Sequence, residues 1–195
     1  DKFGIINVLG KPMPFPAKLK TFVTDDYEKI KGLLAKSTAQ SIVIDDAGYL
    51  MTNQFMRGHS QAGQGNAIFA FYNTLGDSFW NLIQFIVHNT PNDKLVYCMM
   101  HEDKNDFGDV KPKTIGKMLD EKVCIEGMFT IVLRSKCENG EYYFATRTDG
   151  LDVTKTPIGL FDAPKIENDL KLVDDTLRKY YSIKPGKVEK ENADA

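Results

Sequence analysis

Long apolar runs are missing from this chain. No uninterrupted stretch of about 18 apolar residues could cross a bilayer, and no basic segment leads into the apolar core that marks a secretory signal. A soluble, cytoplasmic protein is expected. Cysteine is scarce: Cys98, Cys124 and Cys137 are odd in number and widely spaced, which excludes a disulfide framework and suits buried thiols in a reducing compartment. An excess of charge is also absent, with 25 Lys and Arg against 27 Asp and Glu and a net charge of −2. Bulk electrostatics therefore do not draw the chain to nucleic acid or acidic lipid, and any polyanion binding must be local. No internal repeat is visible. The phosphate-cradling motif G-x-x-x-x-G-K-[ST] is lacking too. Gly10-Lys11 runs into Pro12, Gly116-Lys117 into Met118 and Gly186-Lys187 into Val188, and none has a glycine at the required earlier position.

What is present is a globular composition: 195 residues, 42 % apolar, with 12 Phe and 8 Tyr, enough for one domain with a sizeable core. Phe3 to Val8 reads as a short buried strand. Pro12, Pro14 and Pro16 then force an extended connection, and Lys20 to Val23 is a second strand. Asp25 and Glu28 have capping-box spacing ahead of a helix to Lys36. Ser41-Ile42-Val43-Ile44-Asp45-Asp46 is a continuous β-branched run of the kind buried on both faces of a parallel sheet. Asn53 to Asn66, polar and holding three glycines, predicts a long loop.

Apolar residues from Ile68 to Ile86 at spacings of three and four predict a long helix ending near His88. Lys94 to Met100 reads as another buried strand, followed by a polar loop to about Lys113 and a short helix over roughly Thr114 to Lys122. Strands Met128 to Ser135 and Tyr142 to Thr148 flank Asn139-Gly140, a strong hairpin turn signal. Ile166 to Tyr180 is an amphipathic helix, and residues 182–195 read as a disordered polar tail after a domain spanning 1–181. Strands alternating with helices, then a terminal hairpin, predict an α/β three-layer domain whose ligands bind beyond the carboxyl ends of the strands. Polar residues gather just there: Asp25-Asp26, Asp45-Asp46 and His101-Glu102-Asp103.

Ile42-Val43-Ile44-Asp45-Asp46 has the form of a Walker B strand, in which one carboxylate holds a Mg²⁺ shell and a neighbouring acid orients or deprotonates water. The same pattern suits two solvated acids that cap the next turn. A zinc site from Cys98 and His101 fails because side chains three apart on a strand face opposite ways, and Cys124 and Cys137 lack paired spacing.

From about Phe3 to Phe161 the sequence resembles phage-encoded RecA-like ATP-binding proteins of recombination and single-strand annealing. The resemblance is carried by Ile5-Ile6-Asn7-Val8-Leu9-Gly10-Lys11-Pro12-Met13-Pro14-Phe15, Ile44-Asp45-Asp46-Ala47-Gly48-Tyr49, His101-Glu102-Asp103-Lys104, Asp149-Gly150 and Lys155-Thr156-Pro157-Ile158-Gly159. It implies a three-layer RecA-like P-loop NTPase core, mostly parallel with a C-terminal antiparallel hairpin, whose P-loop precedes the segment matching Phe3 to Val8 and so lies upstream of residue 1. It also implies ATP and Mg²⁺, with Asp45 as the metal ligand. Asp46, preferred over the Asp25-Asp26 pair, would supply the water-activating carboxylate, and His101 would sense the γ-phosphate.

Lys155, with Arg147 as a second candidate, would reach a neighbouring subunit's nucleotide, although Pro157 stands where the family's second finger residue would be. The loops Asn53 to Asn66 and Glu102 to Thr114 would line a path for single-stranded DNA, with Arg57, Lys104, Lys111 and Lys113 on phosphates and Phe107 stacking on a base. A homo-oligomeric ring or filament in the bacterial host cytoplasm is implied. Two rival readings are a non-catalytic DNA- or partner-binding protein with a degenerate NTPase fold, and a metal-dependent nuclease built on Asp45 and Asp46.

Overall fold

The computed structural model describes residues 3–13, 19–116 and 118–184. Four parallel strands, β1 (Phe3–Asn7), β2 (Lys20–Val23), β3 (Ser41–Asp45) and β4 (Leu95–Cys98), form one sheet in the order β2-β1-β3-β4. Helix α1 (Tyr27–Lys36) carries the chain from β2 to β3, and α2 (Tyr49–Gly58) and α3 (Asn66–Asn89) carry it from β3 to β4. Parallel neighbours require such crossovers.

Alternation of side chains along the strands divides the sheet between two cores. Ile6, Ile42, Ile44, Val96 and Cys98 meet Ile30 and Leu34 of α1, Leu50 and Met51 of α2, and Phe79, Leu82 and Ile83 of α3. On the opposite face Leu95 and Tyr97 meet Leu160, Phe161 and the inner face of α4 (Leu170–Tyr180), chiefly Val173 and Leu177. After β4 come a small antiparallel hairpin, β5 (Glu102–Lys104) with β6 (Val110–Pro112), and then an antiparallel sheet of β7 (Arg134–Glu138), β8 (Glu141–Ala145) and β9 (Lys165–Glu167). The architecture is thus mixed α/β, as the pattern of elements predicted. At the expected hairpin turn Asn139 and Gly140 both take positive φ, 54° and 85°.

Several local expectations are corrected. Asn53 to Asn66 is not a long loop: α2 runs on to Gly58, a 3₁₀ turn covers His59–Gln61, and α3 begins at Asn66. Only Leu50 and Met51 of α2 are buried, so most of that helix offers no apolar stripe to read. Asp26, not Asp25, caps α1, accepting from the amides of Glu28 and Lys29. The segment from about Thr114 yields only a five-residue π-helical turn, Met118–Lys122. The loop after His101 is ordered by β5 and β6.

Residues Met128 to Leu133 precede β7 rather than belong to it; Val132 makes an isolated antiparallel bridge to Lys155. Ile166 lies in β9, and α4 starts at Leu170. Of the three thiols, Cys124 and Cys137 are exposed and Cys98 is half-buried; burial pushes the Cys98 thiol up to about 12. The expected tail is described as far as Lys184; residues 185–195, and Pro14 and Phe15 of the resembling segment, lie outside the described residues.

Candidate functional site

The register of the parallel sheet sets Asn7 opposite Asp45 and Ile44 opposite Cys98, so β1, β3 and β4 end together and release their following residues onto one edge. Asp46, just beyond β3, takes φ 58°. A left-handed conformation is uncommon for a residue with a side chain, and Asp is among those that tolerate it best. Its carboxylate is almost buried, with 11 % of the side chain exposed, and stands between the Lys11 ammonium and the His101 ring: Lys11 Nζ at 2.5 Å from Oδ2 and His101 Nε2 at 3.2 Å from Oδ1. The lysine contact is a close ion pair that sets a positive charge beside buried Oδ2. That carboxylate, acting against partial desolvation, holds the Lys11 ammonium above the usual lysine range. The His101 ring also meets Tyr49 edge to face, with centroids 5.7 Å apart.

Lys11 reaches this position through Asn7. The Asn7 side chain is 2 % exposed; its Oδ1 accepts from the Gly10 amide at 2.8 Å and its Nδ2 donates to the Lys11 carbonyl at 2.7 Å. These two bonds close the chain from Asn7 to Lys11 into a turn over the end of β1. The turn needs Gly10 at φ 67°, where an added Cβ would also stand 3.0 Å from a Val23 methyl. Neither Asn7 nor Lys11 was singled out from sequence for a role at the site. An Asn at the end of an apolar strand with Gly three residues on is the local signal that could have suggested such a turn.

The Asp45 carboxylate has no hydrogen bond or ion pair among the described residues. Mg²⁺ is commonly held by one or two carboxylates completed by water and substrate phosphate, and a free carboxylate at the carboxyl edge of a parallel sheet fits that role. Among the described residues no three His, Cys, Asp or Glu side chains gather as a ready-made metal cage.

The other candidates are dispersed. Asp26 is occupied as a helix cap, and Asp25 accepts from Arg57 at 2.5 Å and Asn53 at 2.8 Å. Arg57, opposed by burial and helped by Asn53, holds the Asp25 carboxyl below its usual range. Arg57 therefore starts from an ion pair rather than free in solvent.

Lys104 lies on β5, and Lys111 on β6. Lys113 donates its amide to the His101 carbonyl. Phe107, 88 % exposed, stands at the tip of the β5–β6 hairpin, where Asn105 Oδ1 accepts from the amides of Phe107 and Asp109. Lys155 bridges Val132 through both backbone bonds. Arg147 donates to the carbonyls of Phe161 and Asp162. Of the predicted catalytic set, the structure brings Asp46 and His101 together beside Asp45, and it places Lys155 and Arg147 on the antiparallel region.

Comparison with protein-family models, with curated proteins and with solved structures found no match.

Proposed function

We propose that the chain is a RecA-like ATPase that acts on single-stranded DNA in phage recombination or replication, working as a homo-oligomer in the host cytoplasm. One observation carries the reading. Unpaired Asp45 and strained, nearly buried Asp46 stand side by side at the carboxyl edge of a parallel sheet, where α/β folds bind ligands. Asp45 would hold Mg²⁺, which supplies charge neutralisation on the phosphates. Asp46 accepts a proton from water as the new O–Pγ bond forms and the β–γ bridging bond breaks to release ADP. His101, contacting Asp46, is placed to donate to the γ-phosphate and to register its loss.

The phosphate cradle has no counterpart among the three Gly-Lys pairs, and the reading requires a further strand and loop to supply it. Two features support a seat for that strand. β4 ends the sheet as an edge strand made wholly of Leu95, Val96, Tyr97 and Cys98, without the charge, proline or bulge that guards solvent-facing edges. Residues Met128, Phe129, Ile131 and Leu133 reach the same two cores as β4 without pairing to it. A parallel strand beside β4 would end next to His101.

The test is steady-state ATP hydrolysis by the full-length protein with and without single-stranded DNA. Asp45→Ala is expected to lower turnover by about 100-fold or more. Turnover that survives Asp45→Ala would refute the metal-ligand assignment. DNA binding by a full-length protein that never hydrolyses ATP would favour the non-catalytic reading.

A further inference from the structure

Asp46 has a second potential hydrogen-bond donor close by in sequence, the Gly48 amide, and does not use it. Helix α2 starts at Tyr49 with Gly48 as its N-cap, and no side chain caps it. The Gly48 amide makes no hydrogen bond among the described residues, whereas the neighbouring amides of Ala47, Tyr49 and Leu50 are bonded to the carbonyls of Met99, Asp46 and Ala47. An Asp two residues ahead of a free amide ordinarily folds back onto it in an Asx turn. Here the carboxylate points instead to Lys11 and His101.

We propose that Lys11 is a positioning residue: delivered by the Asn7 turn, its ammonium holds the Asp46 carboxylate out over the sheet edge, away from the helix start that would otherwise capture it. The proposal rests on the assignment of Asp46 as the water-activating group. The geometry divides the work between three residues. Asn7 is buried and fixed by two hydrogen bonds, so it sets the loop. Lys11 has 58 % of its side chain exposed, so its head is free to hold a carboxylate that must still meet water. His101 takes the other oxygen and, by itself, leaves Oδ2 free to turn. Asp46 in the left-handed region cannot relax by a small backbone shift, so side-chain direction is where the choice is made.

The experiment is a set of variants of the full-length protein assayed for ATP turnover. Lys11→Met is expected to lower kcat by about 10- to 100-fold, the scale of misplacing a reacting group, with KM for ATP within about 2-fold of the parent. Lys11→Arg, which keeps the charge and most of the reach, restores most of kcat. In an Asp46→Asn background Lys11→Met has no further effect, because the two act as one unit. Asn7→Ala behaves as Lys11→Met does; should that buried substitution prevent folding, the exposed Lys11 variants decide alone.

A raised KM with kcat preserved would overturn the proposal and make Lys11 a phosphate ligand. So would an undiminished loss in the Asp46→Asn background. If the parent shows no turnover, the ATPase reading fails separately. The Lys11→Met and Asp46→Asn double-mutant cycle is then read as thermal unfolding midpoints without nucleotide: additive shifts refute the pairing, and non-additive shifts keep it.

Discussion

The parallel sheet holds an aspartate beside a cation at each of its two ends, and the pairs are built in opposite ways. At the amino edge Asp174 and Arg178 of α4 are buried and saturated. Arg178 donates to Asp174 Oδ1 at 2.7 Å, to the carbonyls of Gln40 and Asp93 at 2.8 and 2.9 Å, and to Ser41 Oγ at 2.8 Å. The hydroxyls of Ser41 and Tyr97 both donate to Asp174 Oδ2. At the carboxyl edge the Asp46 backbone is strained, its carboxylate meets only an exposed lysine and a histidine ring, and Asp45 beside it makes no hydrogen bond or ion pair among the described residues. Buried charge is tolerated where every lone pair and proton is matched. Where matching is left incomplete, a water or phosphate can complete it. The first pair holds α4 to the sheet, and the second joins the Asn7 turn to the residue that follows β3.

The largest effect should come from breaking the saturated pair. Asp174→Ala leaves the Arg178 guanidinium buried without its carboxylate and is expected to cost about 3–5 kcal/mol, read as a lowered urea midpoint. The same kind of change at the other end should have the opposite balance. Asp46→Gly removes the left-handed strain, so stability should hold or rise by about 1 kcal/mol, while ATP turnover falls by about 100-fold or more. A stability loss at Asp46 as large as that at Asp174 would erase the distinction between the two ends.

The smallest effect concerns the antiparallel region, where the paired carboxylates of Glu102 and Asp149 are half exposed. Arg134 donates to Glu102 at 2.7 and 2.9 Å and lies against Asp152, and Lys136 lies 2.7 Å from Asp149. Arg134 holds the Glu102 carboxyl below 4.5, and Lys136 holds the Asp149 carboxyl below 3.8. Both groups bind protons more weakly folded than unfolded, so their stabilisation is full above the unfolded values and is lost as pH falls through the depressed folded ones. Unfolding midpoints should therefore drop as pH is lowered below about 4.5, and Arg134→Ala should flatten that dependence. An unchanged slope in the variant would show that Glu102 gains nothing from Arg134.

How far the sequence carried depends on the range of each interaction. β3 was legible because three β-branched residues, Ile42, Val43 and Ile44, stand together before two acids, and α3 because its apolar stripe is long. Asp45, Asp46 and His101 could be grouped because each follows a strand, and parallel strands end on a common edge. Lys11 could not be placed there, since it meets Asp46 only through the pairing of Asn7 with Asp45, residues 38 positions apart in the chain. α2 was hidden by its polar exposed face. The Asp25 to Asp26 exchange at the α1 cap is a one-residue matter that local spacing does not decide.

β2 is the edge strand opposite β4, and all four of its residues are exposed. It is also the wall behind the Gly10 turn, through Val23. Edge strands with little buried surface open locally at low free energy, and amide exchange there should be the fastest in the sheet. The lifetime of an ordered Lys11 is thus tied to the most readily frayed element of the fold, so the carboxylate at the heart of the sheet keeps time with motion at its rim.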